Sequence, residues 1–309
     1  MIHIFRKAVG DEHLAANEEL SLGTWIDMVN PTEEEIQQIS SQLSVEPDFL
    51  KSALDVDEKP RIETENKATL IIIRVPFQDE ATKIDMIPIS IVITERVIIT
   101  VSLKETVILQ DVREEKIKNL YTTKKTRFVL QILARTNYYF QKYLADIEKK
   151  ITHLEKTLLK SFKNEEIVEL LDIQKSLVFI NTSVVSNDKI LERILKGNVL
   201  KLYKEDEDLL EDIIIENKES IEMVNIFSNI LANTMDAYAS IISNNLNIVM
   251  KFLASVTIIL AIPAIVAGFY GMNVSLPFQK SPYAFYLVVT FSLLITVLTT
   301  FFFLKKKYF

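Results

Sequence analysis

Apolar positions along this chain change their spacing near residue 110 and again near residue 250, dividing it into three parts. In the first part the apolar runs are short and rich in β-branched residues. Met1 to Phe5 and Thr24 to Asp27 are short strand candidates. Thr69 to Val75, Ile87 to Thr94 and Val97 to Val101 read as further strands, with Glu95-Arg96 turning the last two into a hairpin. Alternation within them is only partial, which predicts a sheet covered on both faces. Asn30-Pro31-Thr32-Glu33-Glu34-Glu35 supplies a capping residue, an early proline and first-turn acids, so a helix is expected from there to about Leu43, with a short second helix over Pro47 to Leu54. From about Gln110 helical spacing takes over. Phe128 to about Ser161 and Asn164 to about Leu195 read as a long antiparallel pair with a break at Lys163-Asn164. A third helix begins near Glu205 to Leu209, and from there to Tyr270 the only proline is Pro263. Unbroken, it covers roughly 64 residues, or about 95 Å at 1.5 Å per residue.

The end of the chain is apolar at spanning length. Phe252 to Tyr270 gives 19 uncharged residues and Tyr283 to Leu304 gives 22, each enough to cross a hydrocarbon core of roughly 30 Å as a helix. The linker Gly271 to Pro282 is too short for a domain, so a transmembrane hairpin is expected, with Gly271-Met272-Asn273 at its tip. The expected fold class is α+β: an N-terminal α/β domain (1–110), a helical hairpin (111–205), a stalk helix (206–250), a first span (251–270), an outer loop (271–282), a second span (283–304) and a basic tail (305–309). Met1 to Gly10 has no signal-peptide core, so the N-terminal region is expected to stay cytoplasmic. Lys305-Lys306-Lys307 places the C-terminus on the same side. The expected location is therefore an inner or plasma membrane, crossed twice.

Composition narrows the chemistry. A formal net charge of −7 argues weakly against nucleic acid as a partner and suits the handling of cations. The chain has no cysteine, which excludes disulfides, zinc–thiolate sites and cysteine nucleophiles. Its histidines, His3, His13 and His153, are scattered, so a soft-metal site is not expected. Neither a GxGxxG nor a Walker loop is present, nor a recognisable nucleophile–base set, and an enzyme is the least supported class.

Asp236, Ser240, Ser243, Asn247, Met250, Ala254, Thr257, Ala261, Ala264 and Gly268 follow one another at alternating steps of four and three, a seam of period 3.5. A seam in water normally carries large apolar residues, whereas this one carries a carboxylate, hydroxyls and an amide above the membrane entrance and small residues within it. Two readings stay open. The seam lines a channel, with rings of Asp236 and Asn247 around a hydrated cation, or it serves close helix packing with Asp236 a solvated charge. A helix of this length needs neighbours in either case, and copies of the same chain are the simplest source.

The C-terminal block, Ser243-Asn244-Asn245-Leu246-Asn247-Ile248-Val249-Met250-Lys251, a span, Ala267-Gly268-Phe269-Tyr270-Gly271-Met272-Asn273, a second span and a lysine tail, closely resembles the CorA family of magnesium/cobalt transporters. Trp25-Ile26-Asp27 and Lys59-Pro60-Arg61-Ile62-Glu63 extend the resemblance over essentially the whole chain. It implies a homopentamer set in membrane lipid, with a cytoplasmic funnel, a pore from the first span and an outer ring from the second. It implies Gly271, Met272 and Asn273 as the selectivity filter, with Asn273 presenting side-chain amide oxygens to hydrated Mg²⁺, an ion that dehydrates reluctantly. Asn247 and Asp236 become further polar rings, Met250 and Leu253 a hydrophobic constriction, Thr257 and Ala261 pore lining, and Gly268 a point of close approach. Mg²⁺ is then both transported and regulatory, and Co²⁺ is a second transported ion.

The resemblance also implies regulatory divalent sites between subunits, one partner aligning with Asp212. Where the family usually has the second acid this chain has Ser52, preceded by Lys51, with Asp55 and Asp57 the nearest acids. Glu205 to Asp208, Glu211, Asp212, Glu216 and Glu219 either attract divalent cations or form a solvated face. The outer loop Val274 to Pro282 carries no acid and one base, Lys280, so ion approach is expected to be less strongly steered. The leading reading is a passive Mg²⁺ channel gated by cytoplasmic Mg²⁺, each divalent ion gaining about 4.6 kcal/mol per 100 mV. A ZntB-like transporter of Zn²⁺, Co²⁺ or Ni²⁺ is the alternative, and Met272 at the middle of the filter favours magnesium. A membrane-anchored scaffold explains the long helices but gives no reason for the three polar positions.

Overall fold

The structure is a computed structural model, and it describes residues 1–17, 19–78, 84–158, 164–197, 199–277 and 281–306. Lys280 and Lys307, the expected helix end at Ser161 and Lys163 at the expected break all lie outside these. Two compact units divide the chain, Met1–Ala232 and Asn233–Phe309.

The first unit is built on one mixed sheet. Its strands are β1 (Ile2–Arg6), β2 (Ala15–Ala16), β3 (Thr24–Val29), β4 (Arg61–Glu65), β5 (Ala68–Gln78), β6 (Ile84–Ile93) and β7 (Val97–Ser102). They lie in the order β2-β1-β3-β7-β6-β5-β4. Only β3 and β7 run parallel, with Asp27 opposite Thr100. β3 and β7 are almost wholly buried, because both faces of the sheet are covered, as the weak alternation predicts.

One face packs under α1 (Glu33–Leu43), α2 (Pro47–Lys51) and a 3₁₀ turn at Ser52–Leu54. Ile26, Leu70, Val92 and Ile99 meet Ile36, Phe49 and Leu50 there. The start of α1 is fixed by a capping box. Thr32 accepts from the Glu35 amide while the Glu35 carboxylate accepts from the Thr32 amide, which satisfies two donors that a helix start leaves open.

The other face meets the helical hairpin. α3 (Val107–Arg113) precedes α4 (Lys125–Leu158) and α5 (Asn164–Leu195), so the change of texture near Gln110 falls inside a short helix whose start is capped by Thr106. Trp25 packs against Phe128 of α4 with ring centroids 5.3 Å apart. Asn187 of α5 accepts from the Arg74 amide at 3.0 Å and donates to the Arg74 carbonyl at 2.7 Å. β4 pairs with β5 only as far as Ile72, so beyond it the free edge of β5 is closed by a side-chain amide instead of a strand.

A buried polar chain ties this face together. Trp25 Nε1 donates to Thr100 Oγ1 at 2.9 Å, Thr100 donates to Asp27 Oδ1 at 2.9 Å, and Arg113 donates to Asp27 Oδ2 at 2.7 Å. Asp27 and Thr100 are fully buried, and each link satisfies a group that would otherwise be costly to hide. This is the physical content of Trp25-Ile26-Asp27.

α6 (Lys204–Tyr270, 67 residues) is continuous from the first unit into the second, which it forms with α7 (Ala284–Lys305). Both α6 and α7 contain stretches long and apolar enough to cross a membrane.

Thr100→Val is expected to destabilise the first unit by about 1–3 kcal/mol, since it leaves Trp25 Nε1 and Asp27 short of a partner. Trp25 is the only tryptophan, so thermal unfolding followed by its fluorescence reads the effect directly.

Candidate functional site

The second unit is almost bare of acid. Asp236 is the last carboxylate side chain in the sequence, and beyond it the only charged side chains are five lysines, Lys251, Lys280, Lys305, Lys306 and Lys307. A cation handled here therefore meets neutral oxygen ligands everywhere except at Asp236.

Helical geometry sorts the faces of α6. Ser255 is 2% exposed and Ile259, Ile262 and Val266 are half-buried, whereas Asp236, Asn247, Met250, Leu253, Thr257 and Gly268 are exposed and Ala261 is half-buried. At about 100° per residue the Ser255–Val266 stripe and the Ala254–Gly268 stretch of the seam lie about 150° apart. α7 is covered along Val288, Ser292 and Thr296, and both helices border the same crevices. Within the chain, then, the Ser255–Val266 stripe is the covered face of α6 and Thr257, Ala264 and Gly268 of the seam are exposed, whereas Asn247, Met250 and Ala254 border a crevice with Phe302 and Phe303 of α7.

Three hydroxyls on this part of the helix are satisfied locally. Ser255 donates to the Lys251 carbonyl at 2.8 Å, Thr257 to the Leu253 carbonyl at 2.8 Å and Ser240 to the Asp236 carbonyl at 3.0 Å, as hydrocarbon requires. The side chains of Asp236 and Asn247 have no hydrogen-bond partner among the described residues.

The tip follows directly from the end of α6. The Gly271 amide donates to the Ala267 carbonyl at 3.0 Å and the Met272 amide to the Phe269 carbonyl at 3.2 Å, which carries helical geometry into the tripeptide. A Cβ on Gly271 would stand 3.3 Å from the Ala267 carbonyl oxygen, tighter than a side chain comfortably accepts. Tyr270 donates from its hydroxyl to the Pro277 carbonyl at 3.3 Å, tying the loop Gly271–Pro277 across its base. Asn273 is exposed, and its amide has no partner among the described residues. Sequence reasoning gave Tyr270 no role, although its place beside the tripeptide was the available signal.

Asp212 and Asp55 belong to the first unit, and among the described residues no group of three His, Asp or Glu side chains is placed to hold a metal. Asp212 is exposed on α6 beside Glu216 and Glu219, at helical spacing. Burial first, and then the charges of Asp212 and Glu219, push the Glu216 carboxyl above its ordinary value. That mutual repulsion is what a bound cation relieves. The Ser52 side is different. Ser52 donates to the Asp48 carbonyl at 2.7 Å and accepts from Arg61 Nη2 at 3.2 Å. Asp55 spends an oxygen on the Asp57 amide at 3.0 Å. A hydroxyl held by a guanidinium does not fit a divalent cation, and the acids beside Asp212 are spread along the helix without closing a three-ligand site among the described residues.

The family described as CorA-like Mg²⁺ transporter protein matches residues 23–307. The chain belongs to this family. It is thus a divalent cation transporter and not an enzyme, and a membrane protein. It is 27% identical over 299 residues to the cobalt/magnesium transport protein CorA of Methanocaldococcus jannaschii, covering 91% of this chain and 90% of that one. It is 23% identical to the protein so named from Thermotoga maritima, over 93% of this chain and 84% of the relative. The fold matches the complete structure of the CorA magnesium transporter from Methanocaldococcus jannaschii with a TM-score of 0.86 at 24% identity, over 98% of this chain and 97% of that chain. The cytoplasmic domain of ZntB from Vibrio parahaemolyticus matches with a TM-score of 0.65 at 12% identity, over 78% and 98%. At these identities the two structures establish the CorA-type fold alone.

The Glu216 environment sets a sign for pH dependence. A carboxyl raised above its ordinary 4.5 binds its proton more tightly when folded, so folding is favoured below 4.5 and loses that advantage as pH rises through the raised value. Glu216→Gln mimics the protonated form. The thermal midpoint of the variant minus that of the wild type is expected to grow as pH rises from 4.5 and then level off, as scanning calorimetry of the detergent-solubilised chain across this range would register.

Proposed function

We propose that this CorA-family chain is a homopentameric channel for Mg²⁺ uptake down the electrochemical gradient into the cytoplasm, where both its termini lie. The observation that carries the reading is the seam along α6, whose members are exposed apart from the half-buried Ala261. It runs from Asp236 through Asn247 to Gly268 and leads into Gly271-Met272-Asn273. Repeated around an axis, it lines a path with one carboxylate ring and two amide rings. Met250 and Leu253 form the apolar constriction, and Thr257 and Ala261 keep the wall thin. Neutral amides suit a hydrated ion. They hold its water shell without binding so tightly that release fails. Co²⁺, named with magnesium for the curated relatives, passes in the same hydrated form.

Regulation by cytoplasmic Mg²⁺ belongs to the reading with one amendment. The ion is drawn to Asp212 and the acids near it without help from Ser52, whose oxygen is engaged by Arg61. Asp212→Ala is expected to weaken inhibition of uptake by Mg²⁺ on the cytoplasmic face. Inhibition that stays the same in this variant removes the sensing role of Asp212 and leaves the channel in place.

The main test is ion flux into proteoliposomes, wild type beside Asn273→Ala, with Zn²⁺ and Co²⁺ as competitors. Loss of the hydration-shell contacts of Asn273 is expected to lower Mg²⁺ flux by about tenfold or more. Flux independent of Asn273 would remove the filter assignment. Zn²⁺ flux coupled to a proton gradient, with little Mg²⁺ flux, would move the chain to a ZntB-like activity.

A further inference from the structure

The second unit carries a crevice at the open end of its helix pair, away from the tripeptide. It has a volume of about 500 Å³ and lies between α6 and α7. Ala254 and Ile258 of α6 and Phe302 and Phe303 of α7 give it apolar walls, and Lys251 stands at its border.

Lys251 is the last charged residue before the 19 uncharged positions Phe252 to Tyr270, so it marks where α6 enters hydrocarbon. α7 reaches the same level, because Phe302 shares the crevice with Lys251. Lys305 and Lys306 follow Phe302 within about one turn, and the Lys306 amide donates to the Phe302 carbonyl at 3.1 Å. Both helices thus bring ammonium groups to one membrane boundary. Lys251, Lys305 and Lys306 are exposed, and none has a carboxylate partner among the described residues. The nearest acid along α6 is Asp236, about 22 Å away at 1.5 Å per residue. The protein therefore leaves positive charge uncompensated beside an apolar crevice that opens into the bilayer. A basic pocket between spanning helices suits an anionic lipid head, and the crevice below it suits the tail. A water-soluble anion would leave the phenylalanine walls uncovered. A zwitterionic lipid would set its own ammonium against the lysines.

We propose that this crevice binds an anionic phospholipid of the leaflet at the open end of the hairpin, with its phosphate on Lys251 and an acyl chain along Ala254, Ile258, Phe302 and Phe303. The site rests on the α6–α7 pair alone and not on the transport reading, and its test measures no flux.

Native mass spectrometry of the full chain in detergent compares phosphatidylglycerol with phosphatidylcholine of the same acyl chains. The variants are Lys251→Gln, which removes the charge at the border, and Ile258→Trp, which fills the crevice and leaves the charge in place. Both side chains are exposed, so folding is preserved, and an unchanged thermal midpoint in lipid-free detergent checks this. Phosphatidylglycerol is expected to bind about fivefold or more tightly than phosphatidylcholine. Lys251→Gln is expected to weaken phosphatidylglycerol about fivefold and leave phosphatidylcholine unchanged, the loss of one lysine at a membrane surface. Ile258→Trp is expected to weaken both lipids. Equal binding of the two lipids, or phosphatidylglycerol binding that survives Lys251→Gln, overturns the proposal. Binding that survives Ile258→Trp overturns the crevice as the seat of the tail. Retention of neither lipid, as where a second copy of the chain covers the crevice, overturns the proposal as well.

Discussion

Hydrocarbon leaves a backbone amide no partner outside its own segment, and the membrane half of this protein follows from that constraint. It makes α6 continuous to Tyr270 and α7 continuous from Ala284, and it confines irregular backbone to the tip between them. It directs the hydroxyls of Ser255 and Thr257 back to the carbonyls one turn earlier. Pro263, which has no amide hydrogen to donate, lies inside α6 without ending it. With backbone bonding settled in this way, the side chains alone distinguish one face of α6 from another. The face with Ser255 is covered and the face with Gly268 is not.

Charge follows a complementary rule. Acid is concentrated in the first unit, and the second retains Asp236 as its one carboxylate. A divalent ion in a low-dielectric path attracts full carboxylates strongly enough to slow release. In the proposed channel, neutral amides at Asn247 and Asn273 would give orientation without that trap, and a single acid at Asp236 would supply attraction where water is still present. On the soluble side the same argument separates two surfaces. Near Asp212, burial first and then the neighbouring carboxylates make Glu216 hold its proton more tightly, whereas the Ser52 hydroxyl is engaged by a guanidinium.

Legibility in the sequence tracked how local the deciding interaction was. The capping box at Thr32 and Glu35, the strands β5 to β7 and both apolar spans are fixed by residues within a turn or two of one another, and they appear near where the spacing puts them. β4 did not read as a strand because Arg61–Glu65 carries three charges in five residues, and only pairing to β5 at the sheet edge extends it. α3 resembles a strand in composition, and the signal that decides it is the Thr106 cap. Asn187 closing the edge of β5 lies 113 positions from Arg74, a contact that no periodicity carries. The seam itself was legible, but not which way it faced. Small residues at period 3.5 serve packing and pores equally well, and the covered positions Ser255 and Ser292 are polar residues inside spans that look uniformly apolar.

The tip shows how much of a site can be built by continuing an element instead of adding one. The Gly271 and Met272 amides are still bonded in helical fashion, so the rotation of α6 about its own axis sets where Asn273 points. Tyr270 then fixes the return path by its bond to the Pro277 carbonyl. A rotation of α6 by one residue, about 100°, would turn the seam toward α7 and move Asn273 with it. The tripeptide and the seam below it are therefore one mechanical object. The covered stripe from Ser255 to Val266 is what holds that object in register.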